Sequence, residues 1–278
     1  MKRYFAFGCS YSDYDWPMLP DLIGVNFDKY YNFSSAGGCH QFMLMQLIQA
    51  HELYQLNPAT DYITIGTTGF GRFSFAQEGP TFNETFEWRK HGDIFPEFDQ
   101  HPPKARLWAR EFDSYRYSVY RSLSALKTIK LLLTSMGIKH KIYKAVHNKH
   151  QDPEFLQRVT LDEQTTEMVT EFYSLCDTKE SVDDYLMDYM RNRGEYYHPW
   201  LDGHPPINVS RRFLEIYFPE YNTDLVQRVC QENEYAINTT PTRKEYVDNF
   251  RENFLRVYRT DYDILNRVKG HPRYVKQT

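Results

Sequence analysis

Lys2-Arg3-Tyr4-Phe5-Ala6-Phe7-Gly8-Cys9-Ser10 is an aromatic and apolar run closed by small residues. From Tyr4 to Phe7 there is no polar alternation, the pattern of a strand covered on both faces. Gly8 permits a tight turn, which would deliver Ser10 to the end of a sheet. A helix is expected soon afterwards, within Trp16–Ile23, interrupted by Pro17 and Pro20. Working outward, Lys29–Phe33 reads as a second strand and Asp61–Thr67 as a third. Between them Phe42, Met45, Leu47, Ile48 and Leu53 form a helical stripe over Gln41–Tyr54. Tyr117–Met136 is the strongest helix, with Gly137 placed to terminate it, and Ile138–Val146 is the fourth strand. Strand and helix alternate, so the fold class expected is α/β. The architecture is a three-layer α/β/α sandwich around a mostly parallel, flavodoxin-like sheet.

Two segments break the rhythm. Residues 74–113, with Gly79-Pro80, Pro96 and Pro102-Pro103, read as a long irregular insertion beside the third strand. Residues 150–195 read as an acidic, helical one. A core domain over 1–218 therefore carries both insertions. It is followed by a helical extension over 219–278, expected to pack on the core or on a partner subunit.

Open α/β sheets keep their chemistry at the carboxyl ends of the strands, where Ser10 would lie. A helix N-cap serine is the bland alternative, and Gly-Cys-Ser alone favours it. A second motif shifts the balance: His198-Pro199-Trp200-Leu201-Asp202-Gly203-His204-Pro205-Pro206, followed by an apolar helix over Ile207–Phe218. Asp202 and His204 are two apart, so in extended backbone their side chains leave on one side. The carboxylate can then hold the imidazole while the other ring nitrogen serves a nucleophile. Ser10, His204 and Asp202 together have the roles of a catalytic triad.

These motifs resemble the SGNH (GDSL-like) hydrolases, in particular divergent members common in phage genomes. Phe5-Ala6-Phe7-Gly8-Cys9-Ser10-Tyr11-Ser12 is similar to their first block, with Gly-x-Ser in place of Gly-Asp-Ser. Asn32 to Phe42 resembles the second, whose glycine supplies an oxyanion N–H; here that would be Gly37 or Gly38. Asp61 to Phe73 looks like the third, and Asp202-Gly203-His204-Pro205 like the last. The resemblance implies a Ser10 nucleophile acting through an acyl-enzyme, with Gly37, Gly38, Thr67, Thr68, His40 and Arg72 as oxyanion or substrate-binding residues. Three positions depart from the family pattern. The third-block asparagine is missing, leaving Thr67 or Thr68 to substitute; His40 stands where phage relatives often carry asparagine; and one residue, not two, separates Asp202 from His204.

The function expected is cleavage of an acyl ester, such as an O-acetyl group on a glycan. An acyltransferase would use the same residues. A non-catalytic binding or virion-associated protein on the same fold is an alternative. A metal-dependent hydrolase using His198, Asp202 and His204 with His147 or His40 is another. No cofactor is expected. A formal charge of -4 provides no bulk basic field for nucleic acid, and no run of about 18 apolar residues suggests a membrane span. Met1-Lys2-Arg3 leads straight into a strand without a signal-peptide core, so a cytoplasmic protein is expected, in host cytoplasm if phage-encoded. The four cysteines lack paired-ligand spacing and are expected to be reduced. Twenty-three Tyr, 19 Phe and 4 Trp suit glycan stacking, although core packing is the default use. The partners expected are a small-molecule or glycan ester and, through the C-terminal helices, a second copy of the chain.

Overall fold

The computed structural model describes residues 1–35, 37–78, 86–91, 114–147, 161–192 and 204–260; side chains are described outside 73–91 and up to Arg191 in the fifth of these segments. Four strands, β1 (Arg3–Phe7), β2 (Lys29–Asn32), β3 (Asp61–Gly66) and β6 (Lys139–Tyr143), form one sheet in the order β2-β1-β3-β6. Every pairing is parallel, with Phe5 opposite both Tyr31 and Ile63. A parallel sheet must be covered on both faces, and here it is. Phe5, Phe7, Tyr31, Ile63, Ile65 and Ile142 face α2 (His40–Tyr54), α3 (Tyr115–Ser135) and α4 (Glu163–Ser174). Tyr4, Ala6, Tyr30, Tyr62 and Tyr143 face the opposite core. That core contains α1 (Leu19–Gly24), α5 (Val182–Asn192), α6 (Ile207–Tyr217) and α7 (Asp224–Thr239). The sheet with its two cores is compatible with a three-layer α/β/α arrangement.

Described residues beyond α6 join this second core. Val226, Val229 and Cys230 of α7 join it, as do Phe254 and Leu255 of α9 (Glu252–Tyr258). α8 (Arg243–Tyr246) leads through a π-helical turn, Val247–Arg251, into α9. At the sheet's outer edge, Thr260 donates its N–H to the Tyr30 carbonyl and accepts the Tyr30 N–H on its hydroxyl. At the other edge, Asp177 to Asp183 runs along β6, with Val182 N–H on the Lys144 carbonyl and Asp183 N–H on that of Ala145.

One expectation is corrected. Within 74–113, β4 (Phe73–Glu78) and β5 (Phe86–His91) pair antiparallel as a hairpin, so the segment is not wholly irregular. Its first proline, Pro80, falls between the two strands and interrupts neither. The helix expected within Trp16–Ile23 is present as α1, and it does not begin at Ser10. Residues beyond it form turns and bends, and α1 starts only at Leu19, with Met18 as N-cap. Pro17 biases Trp16 away from helix, and Pro20 takes its tolerated place in the first turn. The Asp21 carboxylate reaches back to the Met18 N–H at 2.8 Å, one half of a capping box.

None of the four cysteines forms a disulfide. No described helix is long and apolar enough to cross a membrane.

Asp21 yields a pH signature. Burial pushes its carboxyl up to about 6, against the pull of Arg259 and the Met18 N–H. An acid whose folded pKa is raised contributes stability that is complete below its unfolded pKa, near 4, and is lost as pH rises through about 6. Urea unfolding of wild type between pH 4 and 7 should show a decline of about 2–3 kcal/mol from this group. That component should be missing from Asp21→Asn, and an identical profile in both proteins would assign the titration elsewhere.

Candidate active site

Gly8, Cys9 and Ser10 leave β1 in a turn closed by the Ser12 N–H on the Cys9 carbonyl at 2.9 Å. Ser12 folds back beneath the turn, and its hydroxyl meets the Tyr143 hydroxyl at 2.8 Å, fully buried. A Cβ on Gly8 would lie 2.2 Å from Ser12 Oγ, and one on Gly66 would lie 2.6 Å from the Tyr143 hydroxyl. The two glycines thus make room for this contact. Asn32 ties in the neighbouring loop, donating to the Ser12 carbonyl and accepting the Ser34 N–H. Ser10 is left at the carboxyl end of the sheet, 8% exposed, and its hydroxyl makes no hydrogen bond to a described residue.

His204 comes to the same loop. Its ring stacks on Tyr14 with centroids 3.6 Å apart and lies 5.7 Å from the ring of Tyr11. The next residue is pinned as well, because buried Trp16 donates its indole N–H to the Pro205 carbonyl at 2.8 Å. Trp16 and Pro205, 189 residues apart, thus bring the Ser10 and His204 segments together. Asp202 lies outside the described residues, as does His198, so the Asp202–His204 pairing is not described.

The expected oxyanion residues divide by what their groups already do. Gly38 N–H is held by the Ser35 carbonyl and Thr67 N–H by that of Tyr143. Thr68 N–H is held by His40 Nε2 at 3.1 Å. Gly37 has φ 73°, a left-handed conformation that favours glycine. The Thr68 hydroxyl is buried and has no hydrogen-bond partner among the described residues, as is true of the Ser34 hydroxyl. Burial, with the Arg72 charge adding to it, pushes His40 down to about 3. A neutral ring that accepts on Nε2 carries its proton on Nδ1. His40 thus orients the Thr68 backbone, and is itself 1% exposed with its edge toward Phe172. Arg72 is half-buried, and its charge reaches both His40 and Tyr11.

The sequence reading missed a second imidazole pairing. His147 follows β6, and its Nδ1 bonds Asp184 Oδ1 at the start of α5. Asp184 Oδ2 accepts both the N–H and the hydroxyl of Ser181, at 2.7 and 2.8 Å. Burial works to raise the Asp184 carboxyl, but these bonds and His147 outweigh it and hold it below its ordinary value. Tyr11, the neighbour of Ser10, donates to Asp183 Oδ1 at 2.9 Å, and Asp183 Oδ2 accepts the His147 N–H. Ser181-x-x-Asp184 is legible as a capping box, but nothing local points to its partner 37 residues earlier. Among the described residues, no group of three or more His, Cys, Asp or Glu is arranged to hold a metal ion.

Arginines from the C-terminal helices fix the outer side of the Ser10 loop. Asp13 pairs with Arg251 and Arg259 at 3.3 and 3.1 Å, and Arg259 also donates to the Asn32 carbonyl. Arg243 pairs with Asp15 and packs over the rings of Tyr14 and Trp16. What the fold defines is an α/β protein in which the loop after β1 carries Ser10, packs against His204 and is joined through Tyr11 and Asp183 to the segment of His147. No family model matches the chain, and no curated protein matches it either.

Asp13→Asn should destabilise the protein by about 1–3 kcal/mol in urea titration, since buried Arg259 loses its counter-charge. The cost stays below that of a fully enclosed pair because Asp13 is one-quarter exposed. Unchanged stability would show that the arginines do not hold the loop.

Proposed function

We propose that this protein is a serine ester hydrolase of the SGNH type, with Ser10 as nucleophile, His204 as its base and Asp202 orienting His204. The observation that carries this reading is the packing of the His204 segment against the loop that presents Ser10. His204 takes the Ser10 proton as Oγ attacks the acyl carbon. The oxyanion is held by backbone N–H groups of Ser10 and Gly37 and by the Thr68 hydroxyl. That hydroxyl stands in for the asparagine absent from the third block, and its lack of another partner supports the role. The substrate class is an acyl ester, of which a glycan O-acetyl group is one form, and a sugar hydroxyl replacing water would make the enzyme a transferase.

A binding protein on the same fold is the competing reading. It is favoured by the face-on stacking of His204 against Tyr14.

A fluorophosphonate probe separates the two. Wild type should label at Ser10 and hydrolyse p-nitrophenyl acetate. Ser10→Ala should lose both while its melting temperature stays within about 2 °C, because the hydroxyl supports no described contact. His204→Ala should lower turnover by about 1,000-fold or more. Folded wild-type protein that neither labels nor turns over would leave the binding reading in place.

A further inference from the structure

We propose that His147, held by Asp184, is a second proton-transfer group of the Ser10 crevice, acting on the alcohol oxygen of the substrate while His204 serves Ser10. The inference rests on the serine-hydrolase reading and assigns the leaving-group and acceptor side of the same reaction.

Three observations converge on His147. The first is its orientation: Asp184 occupies Nδ1, which fixes the tautomer and leaves Nε2 for a ligand. Second comes rigidity. The Asp184 carboxylate is set by two bonds from Ser181, whose hydroxyl also accepts the Asp184 N–H at 3.0 Å. Both ends of the pair stand on backbone tied to the β6 edge, through Val182 and Asp183. The third is position. The pair lies beyond the carboxyl end of β6, and Asp183 links it to Tyr11, which follows Ser10 in the chain. Burial, with Asp183 adding to it, pushes the Tyr11 phenol up, so it remains a donor and the link persists. Each side chain of the pair is about one-third exposed, which leaves the imidazole open to a substrate.

The proton balance closes over one cycle. In acylation the Ser10 proton passes to His204 as Oγ bonds the acyl carbon. The bond to the alcohol breaks, and the departing oxygen takes a proton from the His147 imidazolium. In deacylation water, or a sugar hydroxyl, bonds the acyl carbon and gives its proton to the now neutral His147. Ser10 leaves and recovers its proton from His204, so both rings return to their starting states.

The test compares leaving groups in the full-length protein by kcat/KM, which reports acylation. Ethyl acetate needs a proton on its departing oxygen, whereas p-nitrophenyl acetate does not. His147→Ala should lower kcat/KM for ethyl acetate by about 100-fold and for the aryl ester by less than about threefold. Asp184→Asn should move the ratio the same way by about tenfold and serves if His147→Ala fails to fold. Added imidazole should restore part of the ethyl acetate activity of His147→Ala. Equal loss on both esters, or no loss on either, would overturn the assignment while leaving Ser10 as nucleophile. Absence of fluorophosphonate labelling in wild type would instead remove the serine-hydrolase reading, and this inference with it.

Discussion

The hydrogen bond between the Ser12 and Tyr143 hydroxyls joins the ends of β1 and β6 beneath the loop that presents Ser10. Neither group can reach water, so each requires the other, and a buried hydroxyl left alone would cost about 1–3 kcal/mol. Their meeting excludes any side chain at Gly8 or Gly66. It also places the Ser12 carbonyl for Asn32, which in turn positions the loop after β2. One satisfied pair of hydroxyls therefore sets the course of the two loops that carry Ser10 and Gly37.

Other buried tyrosines follow the same rule. Tyr4 bonds Thr64, Tyr30 bonds Asp21 and Tyr246 bonds Asn233. Their rings stack across the strands, with Tyr4 lying 5.2 Å from Tyr30 and 5.9 Å from Tyr62. Much of the aromatic content that suggested a stacking surface for sugars is thus spent inside, where the ring fills the core and the hydroxyl is matched. The C-terminal helices are equally integral. Their arginines neutralise Asp13 and Asp15, two acids that would otherwise repel each other in the Ser10 loop.

The sheet was legible because parallel strands read as continuous apolar runs, and Tyr4–Phe7 and Tyr62–Ile65 have no other plausible home. α3 was legible from Leu123, Leu126, Ile129 and Leu133, which are all buried on one face. The hairpin was not, because scattered prolines masked two six-residue runs that they do not enter. That the segments of Ser10 and His204 meet could be expected in advance, from the triad pattern and from a resemblance that spans both. His147 could not, since its partners lie at 183 and 184 and only the folded β6 edge brings them together.

That both edges of the sheet are covered has a consequence for synthesis. The open side of β2 is closed by Thr260, which lies 230 residues after Tyr30. Until Thr260 leaves the ribosome, β2 presents unpaired backbone, the kind of edge that recruits other strands. At about 5–20 residues per second, that exposure lasts roughly 10–50 s. The nascent chain is therefore open to mispairing at β2 until the segment that follows α9 emerges to cover it.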